Sequence, residues 1–152
     1  MKGLGYIILL MSFACTSKVT ITEEEIIPDI FYSQSSFKPF TGICRVVGND
    51  PDLVLEQFTY KNGRLQGKTC IWYRNGRLKS QGSYKDGKLC GVWKFWDKEG
   101  NMILEASYEN DELNGPFTAL TADGQIIEKG VYAANRRTTG WTDGINSADH
   151  SH

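Results

Sequence analysis

Histidine is almost missing from this chain. The two present, His150 and His152, stand in the closing tail Asp149-His150-Ser151-His152. The body of the protein therefore lacks the side chain that most often serves as general base and metal ligand near neutral pH. Also missing are a Cys-x-x-Cys pair, a histidine pair on one element and a glycine-rich phosphate loop. Serine, threonine and lysine are scattered without a partner base, so no catalytic constellation can be assembled. The chain reads as a non-enzyme with no cofactor and no metal site. One-sided charge is lacking too: the formal net charge is −1, and no basic cluster in the sequence exceeds Arg136-Arg137. That excludes the basic stripe of a nucleic-acid binder. Proline is low, at 4 residues.

Long apolar runs are absent as well. Leu4 to Met11 falls far short of the roughly 20 residues that span a bilayer. Its place after Lys2, within MKGLGYIILLMSFA (1–14), fits a secretory signal peptide. Ala14 then precedes Cys15, and Thr16-Ser17-Lys18 follows, which resembles a bacterial lipoprotein signal with Cys15 as the lipidated new N-terminus. Ser12 departs from that pattern, and an exported chain cut elsewhere is the alternative. Residues 15–38 hold the run Glu23-Glu24-Glu25 and no clean periodicity, so they are expected to be a polar tether between membrane and domain. Ile26-Ile27 and Ile30-Phe31-Tyr32 are the more apolar part, a candidate cap on the domain beyond the tether. The expected location is the bacterial cell envelope, on the periplasmic or surface side.

Repetition is present in abundance, together with 16 glycines. GKTCIWYRNGRLKSQGSYKDGKLC (67–90) aligns with GVWKFWDKEGNMILEASYENDELN (91–114), placing Gly67 on Gly91, Trp72 on Trp96, Gly76 on Gly100 and Tyr84 on Tyr108. Tyr60, Tyr84, Tyr108 and Tyr132 keep the same interval of 24, as do Gly76, Gly100 and Gly124. Self-similarity at a fixed period marks an array whose units stack on their neighbours. Asn62-Gly63, Asn75-Gly76 and Asp86-Gly87 read as two-residue hairpin turns, Glu99-Gly100 and Asp123-Gly124 continue the series, and Asn110-Asp111 has lost its glycine. Segments rich in Trp, Tyr, Phe, Ile and Val run between them. The turns come too close together for helices to cross between strands. The expected fold is all-β: an extended, curved, single-layer antiparallel meander of repeated β-hairpins over residues 39–141, with 142–152 a disordered tail. Gly140-Trp141 echoes Gly91 to Trp93 and would begin a truncated last unit.

Two-residue turns fix a register, with Gly67 opposite Tyr84 and Tyr84 opposite Leu89. One face then carries Ile71, Tyr73, Leu78, Tyr84, Leu89, Trp93 and Phe95, and its glycines leave room for neighbouring rings. The other carries Lys68, Lys79, Gln81, Ser83 and Lys94 with Cys70, Trp72, Cys90, Val92 and Trp96. With Cys15 assigned to lipid, an odd three cysteines remain, which is no disulfide framework. Cys70 and Cys90 share a face but lie on the order of 10–12 Å apart by strand spacing, too far to bridge. Cys44 should face the other way, and free thiols are expected, two of them half-buried. Asp86, Glu99 and Asp123 sit at turns, where acidic side chains bond locally. The candidate binding face is Trp72 and Trp96 with Lys68, Lys79 and Lys94. It reads either as a ligand or partner surface or as lysine stems covering tryptophan rings on a one-layer sheet.

The stretch WYRNGRLKSQGSYKDGKLCGVWKFWDKEG resembles the MORN-repeat variant of bacteria, with Tyr-x-Asn-Gly-x-Leu followed by Gly-x-Tyr-x-Asp-Gly-Lys-x-x-Gly-x-Trp. The resemblance covers about residues 40–134, and Pro116-Phe117 departs from the Gly-x-Trp segment. It implies a run of β-hairpins with no catalytic residues, and functions that include antitoxin and membrane- or protein-binding module. The expected function is then one of three: an anchored scaffold that binds another envelope protein, an antitoxin or immunity protein with a toxin partner, or a lipid- or glycan-binding module.

Overall fold

The computed structural model describes residues 18–22, 38–50 and 52–144. The expected signal peptide, the lipidated Cys15, the Ile26–Tyr32 cap and the tail beyond 144 lie outside the described residues. The described strands are β1 (Lys18–Thr22), β2 (Gly42–Val47), β3 (Val54–Lys61), β4 (Arg64–Leu65), β5 (Gly67–Trp72) and β6 (Leu78–Lys85), continuing with β7 (Lys88–Trp96), β8 (Met102–Glu109), β9 (Glu112–Leu120), β10 (Ile126–Ala133), β11 (Arg136–Arg137) and β12 (Thr142–Asp143). They form one open sheet in the order β1-β2-β3-β5-β6-β7-β8-β9-β10-β11, with β4 beside β3 and β12 beside β10. From β2 onward every pairing is antiparallel. The architecture is therefore all-β, an open sheet of repeated hairpins, as the period implied.

Two kinds of turn alternate along the sheet and define its two rims. At Asn62-Gly63, Asp86-Gly87, Asn110-Asp111 and Ala134-Asn135 both residues have positive φ, between 47° and 84°. These are type I′ turns, whose twist matches that of the flanking strands. At the other rim only the glycine is left-handed, with φ of 79° at Gly76, 93° at Gly100 and 83° at Gly124. There Gly76 N donates to Tyr73 O at 2.9 Å and Tyr73 N to Arg77 O at 2.8 Å, so the loop is a three-residue turn closed by a glycine bulge. Asn75-Gly76 and its equivalents are thus not the expected two-residue loops, and the turn at Ala134-Asn135 completes the 24-residue series without a glycine.

Packing follows a rule of size. Trp93 lies across Gly82, where an added Cβ would stand 2.1 Å from the indole, and Trp141 lies across Gly130 at 2.4 Å. Ala106 faces Phe117 in the same repeat position. One step along from Gln57 and Cys70, Phe58 and Thr69 exchange the large and small roles. The rings then meet edge to face, Tyr84 with Trp93 at 5.4 Å and Tyr132 with Trp141 at 4.9 Å. The most buried cluster, Phe40, Cys44, Val46 and Tyr60 with Phe58 and Leu65 against it, sits at the β2–β3 end. Towards β10 the sheet thins, and Ile126, Ile127 and Val131 are 40–46% exposed.

Both ends depart from the expected boundaries. Lys18–Thr22, within the stretch read as tether, is a strand parallel to β2. Thr142–Asp143, read as the start of the tail, pairs with Lys129 and Glu128. Two short strands separated by Trp141 thus close the last edge, the truncated final unit that an open sheet edge requires.

Candidate partner-binding face

The three-residue turn has a direct effect on the proposed site. Because Gly76 adds a bulge, register slips between Ile71 and Trp72: Ile71 still faces Ser80, but Trp72 faces Leu78. The same slip sets Trp96 opposite Met102. Leu78 therefore leaves the face of Tyr84 and joins Trp72, while Lys79 turns to the other side, its ammonium 5.8 Å above the Tyr73 ring. Of the expected row, Trp72, Trp96, Lys68 and Lys94 keep to one face and Lys79 leaves it. Lys94 pairs with Glu105 at 2.9 Å, Lys68 lies towards the opposite rim facing Ser83, and Lys79 is with Tyr73.

An apolar line assembles instead, repeated three times: Trp72 with Leu78, Trp96 with Met102 and Leu120 with Ile126. All are half-buried except Ile126, which is exposed. The line runs beside the three-residue turns, and neighbouring repeats brace it there. Tyr73 Oη donates to Trp96 O at 2.8 Å and Asn75 Nδ2 to Lys98 O at 2.8 Å. At the type I′ rim each turn donates to the preceding repeat, Gly87 N to Leu65 O at 2.8 Å and Asn135 N to Leu113 O at 2.9 Å. Asp111 and Asn135 add a second bond, their Oδ1 atoms accepting from Leu89 N and Leu113 N, both at 2.7 Å. Hence the glycine missing from Asn110-Asp111 is replaced by a residue that ties two repeats together.

Two turn carboxylates and three tyrosines are committed to local structure. Asp97 is held below the ordinary carboxylate range, chiefly by the Asn101 side-chain amide, and Asp123 by the Thr121 hydroxyl. Burial pushes the hydroxyls of Tyr60, Tyr84 and Tyr108 up. Cys44, Cys70 and Cys90 are all thiols outside any disulfide, the first two buried and Cys90 half-buried. Cys44 faces Phe58 while Cys70 faces Gln57 and Gln81, so they lie on opposite sides as expected. Burial raises the Cys70 thiol, against an opposing pull from Lys68.

Residues 65–86 and 89–110 each match the family model of the MORN repeat variant. The two repeats are MORN-variant repeats. Each matched span starts in the strand that leaves one type I′ turn and ends inside the next, so the MORN unit coincides with the structural unit between successive turns. MORN repeats form a repeat module that commonly serves binding or scaffolding. No curated protein matches the chain.

Sequence reasoning missed a second feature. Lys61 faces Arg64 and Lys85 faces Lys88 across successive type I′ turns of the array. An interval of 24 residues separates the two pairs in sequence, so no basic cluster is visible there. Recurrence of Lys-x-x-Arg at 61–64 and Lys-x-x-Lys at 85–88, around the first two type I′ turns, is the signal that could have found it.

Proposed function

We propose that this protein is a non-enzymatic, envelope-anchored binding module that is held at the membrane through Cys15 and offers its sheet face to another envelope protein. The observation that carries this reading is the thrice-repeated apolar line from Trp72 to Ile126. A one-layer sheet leaves such a line half in solvent, and aromatic anchors at regular spacing on a braced surface suit protein recognition. Lys94 and Glu105, paired on the same face, would form part of the polar rim.

The experiment is a cross-linked capture from native envelopes, with the mature protein as bait and Trp72→Ala plus Trp96→Ala as control. One stoichiometric protein, lost with the variant, is the expected result. Identical capture by both baits would refute the assignment of the face. Changing Cys15 to Ala should release the protein from the membrane fraction, and retention there without processing would refute the anchor.

A further inference from the structure

A single-layer sheet leaves its recognition face uncovered, whereas domains generally bury such a face against a second layer. The charges on this face follow an order that a second layer could use. Lys88, Cys90, Val92, Lys94 and Trp96 alternate along β7 onto the face of the tryptophan line, and Glu105, Ser107 and Glu109 do so along β8. Beside the type I′ rim, Lys85 on β6 faces Lys88 on β7, and Glu109 on β8 faces Glu112 on β9. A cleft of about 390 Å³ joins the two turns, with Lys85, Lys88, Cys90, Ser107, Glu109 and Asn114 in its lining. Further along the strands, Lys94 of β7 pairs with Glu105 of β8 at 2.9 Å. Cations thus stand on one side of the β7–β8 boundary and carboxylates on the other. The apolar line has the same centre: Trp96 and Met102 straddle it, with Trp72 and Leu78 on one flank and Leu120 and Ile126 on the other. Like charges set opposite each other across an antiparallel pair cost stability. Among the described residues neither Lys85 nor Lys88 makes an ion pair that would offset this.

We propose that the envelope protein received by this face is a second copy of the chain, laid face to face about a two-fold axis along the strands, between β7 and β8. This rests on the reading of the apolar line as a recognition face. Such a rotation sets β7 over the copy's β8 and β6 over its β9. Lys94 then faces the copy's Glu105, Lys88 its Glu109 and Lys85 its Glu112, and each contact occurs twice, as in any isologous interface. In the same register Trp96 meets the copy's Met102, and Trp72 its Ile126. Packed sheets lie about 10 Å apart with strands about 30° from parallel, an offset that long lysine and glutamate side chains can span. The strands from β5 to β10, each about 4.8 Å from the next and roughly seven residues long, offer on the order of 650 Å² per copy. Specific interfaces bury about 600–1,000 Å² a side. One like pair remains, Lys61 against the copy's Arg136, at a corner where twisted sheets separate.

The anchor agrees with this axis. β1 begins at the type I′ rim, where Lys18 pairs with Ile43 beside Gly42, and Gly42 faces Tyr60 next to the first turn. An axis along the strands leaves that rim on the same side in both copies. Cys15 precedes Lys18 by three residues, so both lipids would enter one bilayer. A two-fold axis across the strands would send them to opposite sides.

The test is co-capture, from native envelopes, of two differently tagged full-length copies. It is run for the wild type, for Lys85→Glu plus Lys88→Glu, and for Glu109→Lys plus Glu112→Lys, all four being exposed positions. Wild-type copies should capture one another. Each variant should lose capture of itself several-fold, because like charges then meet at both ends of the interface. Co-expression of the two variants should restore capture, since every reversed lysine then faces a reversed glutamate, and that restoration also shows that both variants fold. Wild-type copies that do not capture each other overturn the proposal, as does a mixed pair that captures no better than its parents. The recognition face is judged apart. If the copies stay single while a different protein is captured and lost with Trp72→Ala plus Trp96→Ala, the face stands and the second copy is removed from it.

Discussion

Gly82 is where the packing rule is most exposed to test. Its missing Cβ is the space that the Trp93 indole occupies, and a methyl group there would overlap the ring. Gly82→Ala should lower the melting temperature by roughly 5–20 °C, the scale of an overpacked core in a domain of this size. A melting curve unchanged from the parent would show that the ring is free to move aside. Thr69 is the opposite case. It is 1% exposed, and its hydroxyl has no hydrogen-bond partner among the described residues. Burying an unpaired hydroxyl costs on the order of 1–3 kcal/mol. Thr69→Val, of nearly the same shape, should therefore leave stability unchanged or raise it in a urea titration, and a clear loss would mean that the hydroxyl is bonded. The large-for-small exchange was readable in part, since glycines at 82 and 130 fall 24 and 72 places after Phe58. That Phe58 and Thr69 invert the rule was not, because nothing in a sequence says which strand supplies the ring.

At the scale of the element, the turns decide what each strand presents. Asn135 Oδ1 caps Leu113 N while the residue itself sits at φ 64°. Asn135→Ala removes the bond and leaves an alanine in the left-handed region, so a loss of about 1–2 kcal/mol is expected from urea unfolding. Wild-type stability in that variant would deny the turn its inter-repeat role. At the other rim Asp97 accepts from Asn101 N at 2.8 Å and from the Asn101 side chain at 3.0 Å. Its folded pKa is lowered, so its contribution is fully present above the unfolded value near 3.9 and is lost as pH falls through the folded value. Asp97→Asn should flatten the acid limb of the stability–pH curve and leave the neutral region's slope unaltered. The sequence could not separate the two turn types, because Asn-Gly and Asp-Gly suit both, and the difference lies in one extra residue of loop. That residue moved Leu78 and Lys79 to opposite faces and took Lys79 out of the expected tryptophan–lysine row.

Over the whole molecule, the interval of 24 settled the hairpin array, because the same glycines and aromatic rings are needed wherever one repeat stacks on the next. The ends were harder to read. β1 alternates polar and apolar residues, Lys18-Val19-Thr20-Ile21-Thr22, but over only five positions and outside the 24-residue period, and the final unit is broken around Trp141. The basic rim was hidden for the reason that makes the array regular: residues adjacent in space are a full repeat apart in sequence. The central claim is that the apolar line beside the three-residue turns, and not the opposite face, meets the partner. Photo-crosslinking in native envelopes tests it most directly, with the reactive residue placed in turn at Trp72, Trp96 and Leu120, and at Tyr84 and Phe95 on the other side. The account predicts one common adduct from the first three positions and none from the last two. Adducts from Tyr84 and Phe95, with none from the tryptophan line, would contradict it.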